Sequence, residues 1–400
     1  MIKIAVLGYG TIGSGVVEAL DINKEVIKEH AGQDIEVKYV LDLRDFPGTP
    51  IESKLVHDYD VIVNDPEVDI VVEVMGGTHP AYEYAKAALE AGKSVATSNK
   101  ALVAEYGPEL IALAREKNLN FLFEASVGGG IPIIRPILRS LNVDTIHHIT
   151  GILNGTTNYI LTKMFEEGST YEEALKDAQA LGYAEADPTA DVDGFDAARK
   201  IAILSSLIYG KTVNFQEITT EGIRNITDVD MKYAKALGKK IKLLGITYNI
   251  DGKIYSEVAP HMIDKKHMMY MVDDVMNGIE THGNLLGDTM FYGAGAGKLP
   301  TASAVVSDII DEVKHLHVNI PIKWDAEPMV LEDHTKHWSK FFVRVDAECE
   351  EMKTCFKLEQ LTKLDDYPDE YAIVTEELTF EEFYSKIEGN SHIRSIIQVK

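Results

Sequence analysis

Residues 2–15 read IKIAVLGYGTIGSG, and their reading decides the fold. A short run rich in β-branched residues, 2–7, ends in Gly8-Tyr9-Gly10-Thr11-Ile12-Gly13-Ser14-Gly15. A helix-like spacing of Val16, Val17, Ala19, Leu20 and Val26 follows. Strand, glycine turn and helix in that order form a dinucleotide-binding fingerprint. Gly8 permits the tight turn, Gly10 lets the backbone approach a pyrophosphate, and Gly13 lets helix and strand pack closely. The free amides at the start of the helix then face the phosphates.

Working outward, a second strand over 35–43 ends in Asp42, Arg44 and Asp45. A carboxylate there accepts from a ribose 2′-hydroxyl and favours NAD, whereas Arg44, with Lys54, accommodates a 2′-phosphate and favours NADP. Both types are present, so these residues leave the cofactor open between the two. Strands are expected at 69–75, 93–97 and 119–125, with helices at 81–90 and 101–117 between them. That alternation predicts a doubly wound parallel sheet, with ligands at the C-terminal ends of its strands. The Gly76-Gly77 turn and Lys100 both fall at such ends.

The second informative stretch is 182–205, GYAEADPTADVDGFDAARKIAILS. Glu185, Asp187, Asp191, Asp193 and Asp196 crowd ahead of one apolar helix that carries Lys200. An acidic face looking onto a lysine suits a small cationic substrate, and the lysine is placed to handle a proton. Before it, TGILNGTTNY at 150–159 gathers Asn154, Thr156, Thr157 and Asn158 at a strand-to-helix junction. Helices are expected at 158–167, 171–181 and 227–237. Short β-like runs through 239–295 predict a mixed sheet that faces a substrate or a second subunit. GAGAGKLPTASAVVS at 293–307 opens a helix with Pro300 in its first turn. Its small residues allow close approach to the cofactor or to the first domain.

Residues 319–337, with Pro321 and Pro328, read as a linker. The remainder reads strand 340–345, helix 350–360, strand 371–375, helix 380–387 and strand 393–399. The expected organisation is an α/β chain in several domains. A Rossmann-type dinucleotide domain takes 1–127 plus 300–318, an α+β substrate and dimerisation domain takes 128–299, and a small α+β domain takes 338–400.

A formal charge of −25 over 400 residues argues against nucleic acid and anionic membranes, which need a basic footprint. No apolar run approaches the ~20 residues of a membrane span. With two cysteines, Cys349 and Cys355, and a start that goes directly into a strand, the expected location is the cytoplasm.

The motifs GYGTIGSG (8–15), SNKALVA (98–104), FEASVGGGIPI (123–133), GILNGTTNYIL (151–161), GYAEADPTADVDGFDAARKIAIL (182–204) and GAGAGKLPTASAVV (293–306) together resemble the homoserine dehydrogenases. The resemblance runs from Met1 to about residue 318. It implies reversible NAD- or NADP-dependent oxidation of L-homoserine to L-aspartate 4-semialdehyde, in the pathway to threonine, methionine and isoleucine. Carried over, Gly8, Tyr9, Gly10, Thr11, Ile12, Gly13 and Gly15 hold the cofactor, together with Arg44, Lys100 and Gly182. Lys200 and Lys100 are the active-site lysines, with Lys200 the usual proton donor and acceptor and Asp196 beside it. Glu185, Asp191, Asp196, Gly155 and Thr156 line the substrate pocket. A monovalent cation, usually Na+, is implied at Glu124, Val127, Gly129 and Ile131, largely through backbone carbonyls. The last sixty-odd residues resemble an ACT-type sensing domain in element order, which implies L-threonine as an effector. A homodimer or homotetramer is expected.

The departures are Arg199 where the family commonly has His, and Lys298-Leu299 within the 297–300 turn. Rival readings are a related dehydrogenase for another hydroxy or amino acid, and a sensor that binds dinucleotide and amino acid without turnover.

Overall fold

The computed structural model describes all residues, Met1–Lys400. They divide into two compact units. The first comprises Met1–Val143, Ala202–Asn214 and Gly293–Met329, and the second Asp144–Ile201, Phe215–Tyr292 and Val330–Lys400.

The first unit is built on a six-stranded parallel sheet. Its strands are β1 (Ile2–Leu7), β2 (Ile35–Leu41), β3 (Leu55–Val56), β4 (Ile70–Glu73), β5 (Ser94–Thr97) and β6 (Phe121–Leu122). They lie in the order β3-β2-β1-β4-β5-β6. The order reverses at β1, the switch point where such sheets bind nucleotides. β4 and β5 are buried at every position, which is why they show no alternation of apolar and exposed polar residues. Helices Ala81–Glu90 and Lys100–Glu116 connect them. The Lys298–Lys314 helix packs on the Thr11–Ile22 helix: a Cβ on Gly15 would lie 2.7 Å from the Lys298 carbonyl. The small residues of 293–307 therefore serve close packing on the first domain, one of their two expected uses.

The second unit holds a large mixed sheet. Its strands run Gly287–Ala294, Met276–Gly283, Ile146–Ile152, Lys239–Ile250, Lys253–Asp264, Ile393–Val399, Trp338–Asp346, Glu370–Thr375 and Leu358–Thr362, in that order. The β-like runs of 239–295 are two hairpins, the first a twelve-residue pair in register from Lys239↔Asp264 to Ile250↔Lys253. Helices Gly155–Glu167 and Tyr171–Ala180 start on side-chain caps: the Asn154 carboxamide oxygen accepts from Thr157 N, and Thr170 forms a capping box with Glu173.

Four expectations are corrected. The strand over 119–125 survives only as Phe121–Leu122, because the chain turns tightly at Glu124–Ser126. The helix over 350–360 is a single turn, Met352–Cys355, followed by the strand Leu358–Thr362. That strand returns antiparallel along Glu370–Thr375 through the polar turn at 363–369. The C-terminal segment is thus a β-α-β-β-α-β unit of ferredoxin-like order. It has its own core around Phe341, Tyr371, Phe380 and Phe383.

The expected linker, 319–337, is also packed structure. Trp324 is buried against Gly107 and donates from its indole to Thr212 Oγ1 at 3.1 Å, and Asp325–Pro328 pairs with Lys211–Thr212. Finally, the boundaries move. Residues 128–143 and 319–329 belong to the first unit, and 338–400 belongs to the second. The cause of the last is visible in the ladder: Gln398 and Val399 pair with His261 and Met262 and join the two sheets into one.

Candidate active site

In the first unit the glycine turn connects the buried end of β1 to the Thr11–Ile22 helix. Gly8 sits at φ +93°, a conformation side chains rarely adopt. A Cβ on Gly13 would lie 1.9 Å from the Gly8 carbonyl oxygen, so nothing larger fits where helix and strand cross. Gly10 caps the helix without a side-chain hydrogen bond and has open space where a Cβ would point. A pyrophosphate fits this cradle, because the helix amides carry no side-chain cap and nothing fills the space before them.

At the end of β2 the Asp42 carboxylate accepts from Tyr9 N (2.8 Å), Arg44 N (3.0 Å), Arg44 Nε (2.9 Å) and an Arg44 terminal nitrogen (2.9 Å). These donors, Arg44 first, hold it well below the usual carboxylate range. The Arg44 side chain is otherwise exposed.

One residue here escaped the sequence reading. Glu73, the last residue of β4, is fully buried. Its carboxylate accepts from the Thr97 hydroxyl at 2.6 Å and from Met75 N at 2.8 Å. Burial pushes it up to about 7 against those hydrogen bonds. The signal was one glutamate inside DIVVEVM. Beyond Thr97, Asn99 caps the Lys100–Glu116 helix and donates to Gly77 O at 2.6 Å. Lys100 is therefore the first residue of a helix at the end of β5, half-buried.

The 124–131 turn lies in the same unit. The buried Glu124 carboxylate accepts from the amides of Ile133, Ile134 and Arg135 at 2.6–2.8 Å, capping a short helix. Gly129 sits at φ +57°, where a Cβ would lie 2.2 Å from Gly295 O.

In the second unit the acidic stretch and LNGTTNY meet. Lys200 and Asp196 are 2.8 Å apart and nearly buried. Lys200 Nζ also donates to Leu153 O at 2.7 Å. The Asn154 amide donates to Asp191 Oδ1 (2.7 Å) and Asp196 Oδ2 (2.9 Å). The helical spacing of Asp196 and Lys200 does form an ion pair, but a buried one. Removing one partner of such a pair costs about 3–5 kcal/mol, against ~0.2–0.5 for an exposed pair at that spacing. Asn154 joins the two carboxylates, Asp191 and Asp196, although the sequence marked it only as one of a polar cluster.

Gly155 and Thr156 begin the Gly155–Glu167 helix. A Cβ on Gly155 would lie 2.8 Å from Val275 O, and Thr156 Oγ1 donates to Tyr183 O at 2.6 Å. That bond ties the helix start to the turn holding Gly182 (φ +75°) and Glu185. Both are exposed, so the structure groups Asn154, Asp191, Asp196 and Lys200 tightly and leaves Glu185 outside that bonded cluster. Asp187 and Asp193 are spent locally, on Thr189 N and on Arg224.

A Rossmann sheet with this glycine turn, in a chain whose other unit carries a carboxylate–lysine cluster, defines a nicotinamide-dependent dehydrogenase. Comparison with known proteins makes the class specific. Residues 8–124 match the model of the homoserine dehydrogenase NAD-binding domain, and residues 132–310 that of homoserine dehydrogenase. The homoserine dehydrogenase of Bacillus subtilis is 44% identical over 326 residues, 80% of this chain and 74% of that protein. That of Neisseria gonorrhoeae is 42% identical over 362 residues, covering 87% and 82%. Among solved structures, a homoserine dehydrogenase from Thiobacillus denitrificans superposes with a TM-score of 0.90 at 34% identity, covering 100% of this chain and 98% of that one. A hyperthermophilic archaeal homoserine dehydrogenase in complex with NADPH gives 0.68 at 29% identity, covering 80% and 99%. The chain belongs to the homoserine dehydrogenase family, and its substrate is homoserine. No helix is long and apolar enough to cross a membrane.

Proposed function

We propose that Lys200 moves the proton in the oxidation of L-homoserine to L-aspartate 4-semialdehyde, and that Asp196 and Asn154 position it. When bound, the nicotinamide ring accepts the hydride from C4. Lys200, as the amine, takes the hydroxyl proton while the C4–H bond breaks. In the direction of reduction the ammonium returns that proton to the carbonyl oxygen. Asp191, Asp196 and Glu185 seat the substrate's ammonium by charge-assisted hydrogen bonds, and Gly155 and Thr156 line the pocket. Lys100, at the start of its helix, binds at the cofactor side. The single observation that carries this reading is the Lys200–Asp196–Asn154–Asp191 cluster, buried at all but the half-buried Asp191.

For the cofactor we infer NADP rather than NAD. The Asp42 carboxylate is saturated by four donors, two of them from the Arg44 side chain, so it is a poor acceptor for a ribose hydroxyl. Exposed Arg44 is available to a 2′-phosphate, and the archaeal relative's complex with NADPH supports the choice. Tyr9, Thr11, Ile12 and Gly15 complete the phosphate turn, and Gly182 of the acidic stretch is assigned to the cofactor by the family motif. We also infer a Na+ held by backbone carbonyls of Glu124, Val127, Gly129 and Ile131, since the Glu124 carboxylate is consumed by helix amides.

Initial rates with L-homoserine and each of NAD and NADP, in sodium and in choline buffers, with and without L-threonine, test these assignments together. Higher kcat/KM with NADP and a rate that falls in choline are expected. Preference for NAD would remove Arg44 from its role, and indifference to sodium would remove the cation. A threonine response would make the C-terminal unit a sensor, and none would retire that expectation.

A further inference from the structure

The polar face of the second unit's sheet carries a cluster that the reaction does not use. His148 lies on the Ile146–Ile152 strand, and its cross-strand partner is His282 on Met276–Gly283. The two imidazoles stack with centroids 5.1 Å apart and planes within 2°. Glu280, two residues along the same strand, lies on the same face beside His148, with Oε1 3.9 Å from His148 Nε2. Asp288 comes from the adjacent edge strand, and its Oδ1 is 2.5 Å from His282 Nδ1. One ligand atom each from His148, Glu280 and Asp288 lie within 4.8 Å of one another.

A second observation points to a ligand. Glu280 is nine-tenths buried, yet its Oε2 has no hydrogen-bond partner. A buried carboxylate oxygen left unpaired costs free energy unless something fills its place. The oxygen is thus a buried acceptor with no donor.

We propose that His148, Glu280 and Asp288 form a binding site for a divalent transition metal of the zinc class. One imidazole nitrogen and two carboxylate oxygens suit that class rather than calcium or magnesium, which take oxygen alone. Two carboxylates and a neutral imidazole carry −2, which matches the dication. Ligand atoms of a tetrahedral zinc site stand roughly 3.4 Å apart, from bond lengths of about 2.0–2.2 Å. The His148–Glu280 separation needs to close by only about half an ångström. His282, bonded to Asp288, acts as the outer partner that orients a ligating carboxylate. The edge strand supplies the exposed ligand, so solvent provides the entry path and the fourth ligand. Lys400, bonded to Thr150 Oγ1 at 3.3 Å, is the competing cation on this face.

The test uses tag-free full-length protein stripped with a chelator, titrated with Zn2+ by calorimetry and with Co2+ by visible absorption. One ion per chain is expected, with a tetrahedral Co2+ spectrum. Glu280→Gln and His148→Ala should each weaken binding at least ~100-fold, the upper end for losing even an outer partner. His392→Ala, at an exposed histidine of the C-terminal unit, should leave binding unchanged. Asp288→Asn, on the exposed edge, serves if either of those variants loses its far-ultraviolet dichroism. Uptake of no ion at micromolar metal overturns the site. So does uptake that is equal in the wild type and in Glu280→Gln and Asp288→Asn.

Discussion

Two regions of this chain recognise their ligands by opposite means. The turn at 8–15 is defined by what is missing: three of its glycines leave room for phosphate, for helix against strand, and for helix against helix. The cluster at 154–200 is defined by what is present: two carboxylates, an amide and a lysine held in one largely buried network. The first kind of site depends on backbone shape and fails by steric exclusion. The second depends on charge held out of water and fails when one member is removed. Substitutions should therefore separate affinity for cofactor from rate of reaction.

The largest effect should come from Lys200→Ala. Turnover is expected to fall at least ~100-fold, the lower end for losing a general acid/base, while the dissociation constant for NADPH stays within about twofold. Because Asp196 would be left buried and uncompensated, the companion variant Asp196→Asn/Lys200→Ala should recover part of the stability but none of the rate. Stopped-flow kinetics and fluorescence titration of bound NADPH give the two readouts. Wild-type turnover in the single variant would break the contrast at its catalytic end.

Gly13→Ala probes the other region. The added methyl meets the Gly8 carbonyl oxygen at 1.9 Å, and backbone cannot step aside as a side chain can. Overpacking of this sort costs about 1–3 kcal/mol, so the NADPH dissociation constant should rise ~10-fold or more. Turnover at saturating cofactor should be nearly kept. A variant that binds normally would mean the turn tolerates a side chain, and the shape argument fails.

The same contrast explains what could be read from the sequence. The parallel sheet was legible because its central strands are buried on both faces and its first turn is marked by glycine. Lys200 and Asp196 were legible because helical spacing puts them together. Spacing did not reveal that Leu153 O and Asn154 complete the network, since those contacts come from 42–47 residues away. The strand Leu358–Thr362 was hidden inside a plausible helix, because the turn that returns it is polar rather than glycine-rich. The linker at 319–337 was misread because two prolines outweighed Trp324, whose burial is a tertiary fact.

Arg44→Ala sharpens the comparison within the first unit, where the site's one charged element sits on a shape-defined cradle. Apparent KM for NADP should rise ~10-fold, on the order of one hydrogen bond to a charged group, with little change for NAD. Equal effects on both cofactors would show that Arg44 acts only by holding Asp42.

The smallest effect concerns Glu73, the charged residue at the floor of the first unit. Its carboxyl is raised by burial to about 7, so the folded chain binds a proton that the unfolded chain has already released. Between the unfolded value of about 4.3 and the folded value, the native state holds more protons, so stability falls as pH rises. Over that window the loss amounts to about 4 kcal/mol, and it levels off above the folded pKa. Glu73→Gln keeps an oxygen for the Met75 amide and removes the titration. Thermal midpoints of the two proteins should lie close together near pH 5, and the variant should melt several degrees higher at pH 8. If the difference between the two midpoints does not change with pH, the carboxylate is ionised throughout, and the unit tolerates a buried charge as the cluster around Lys200 does.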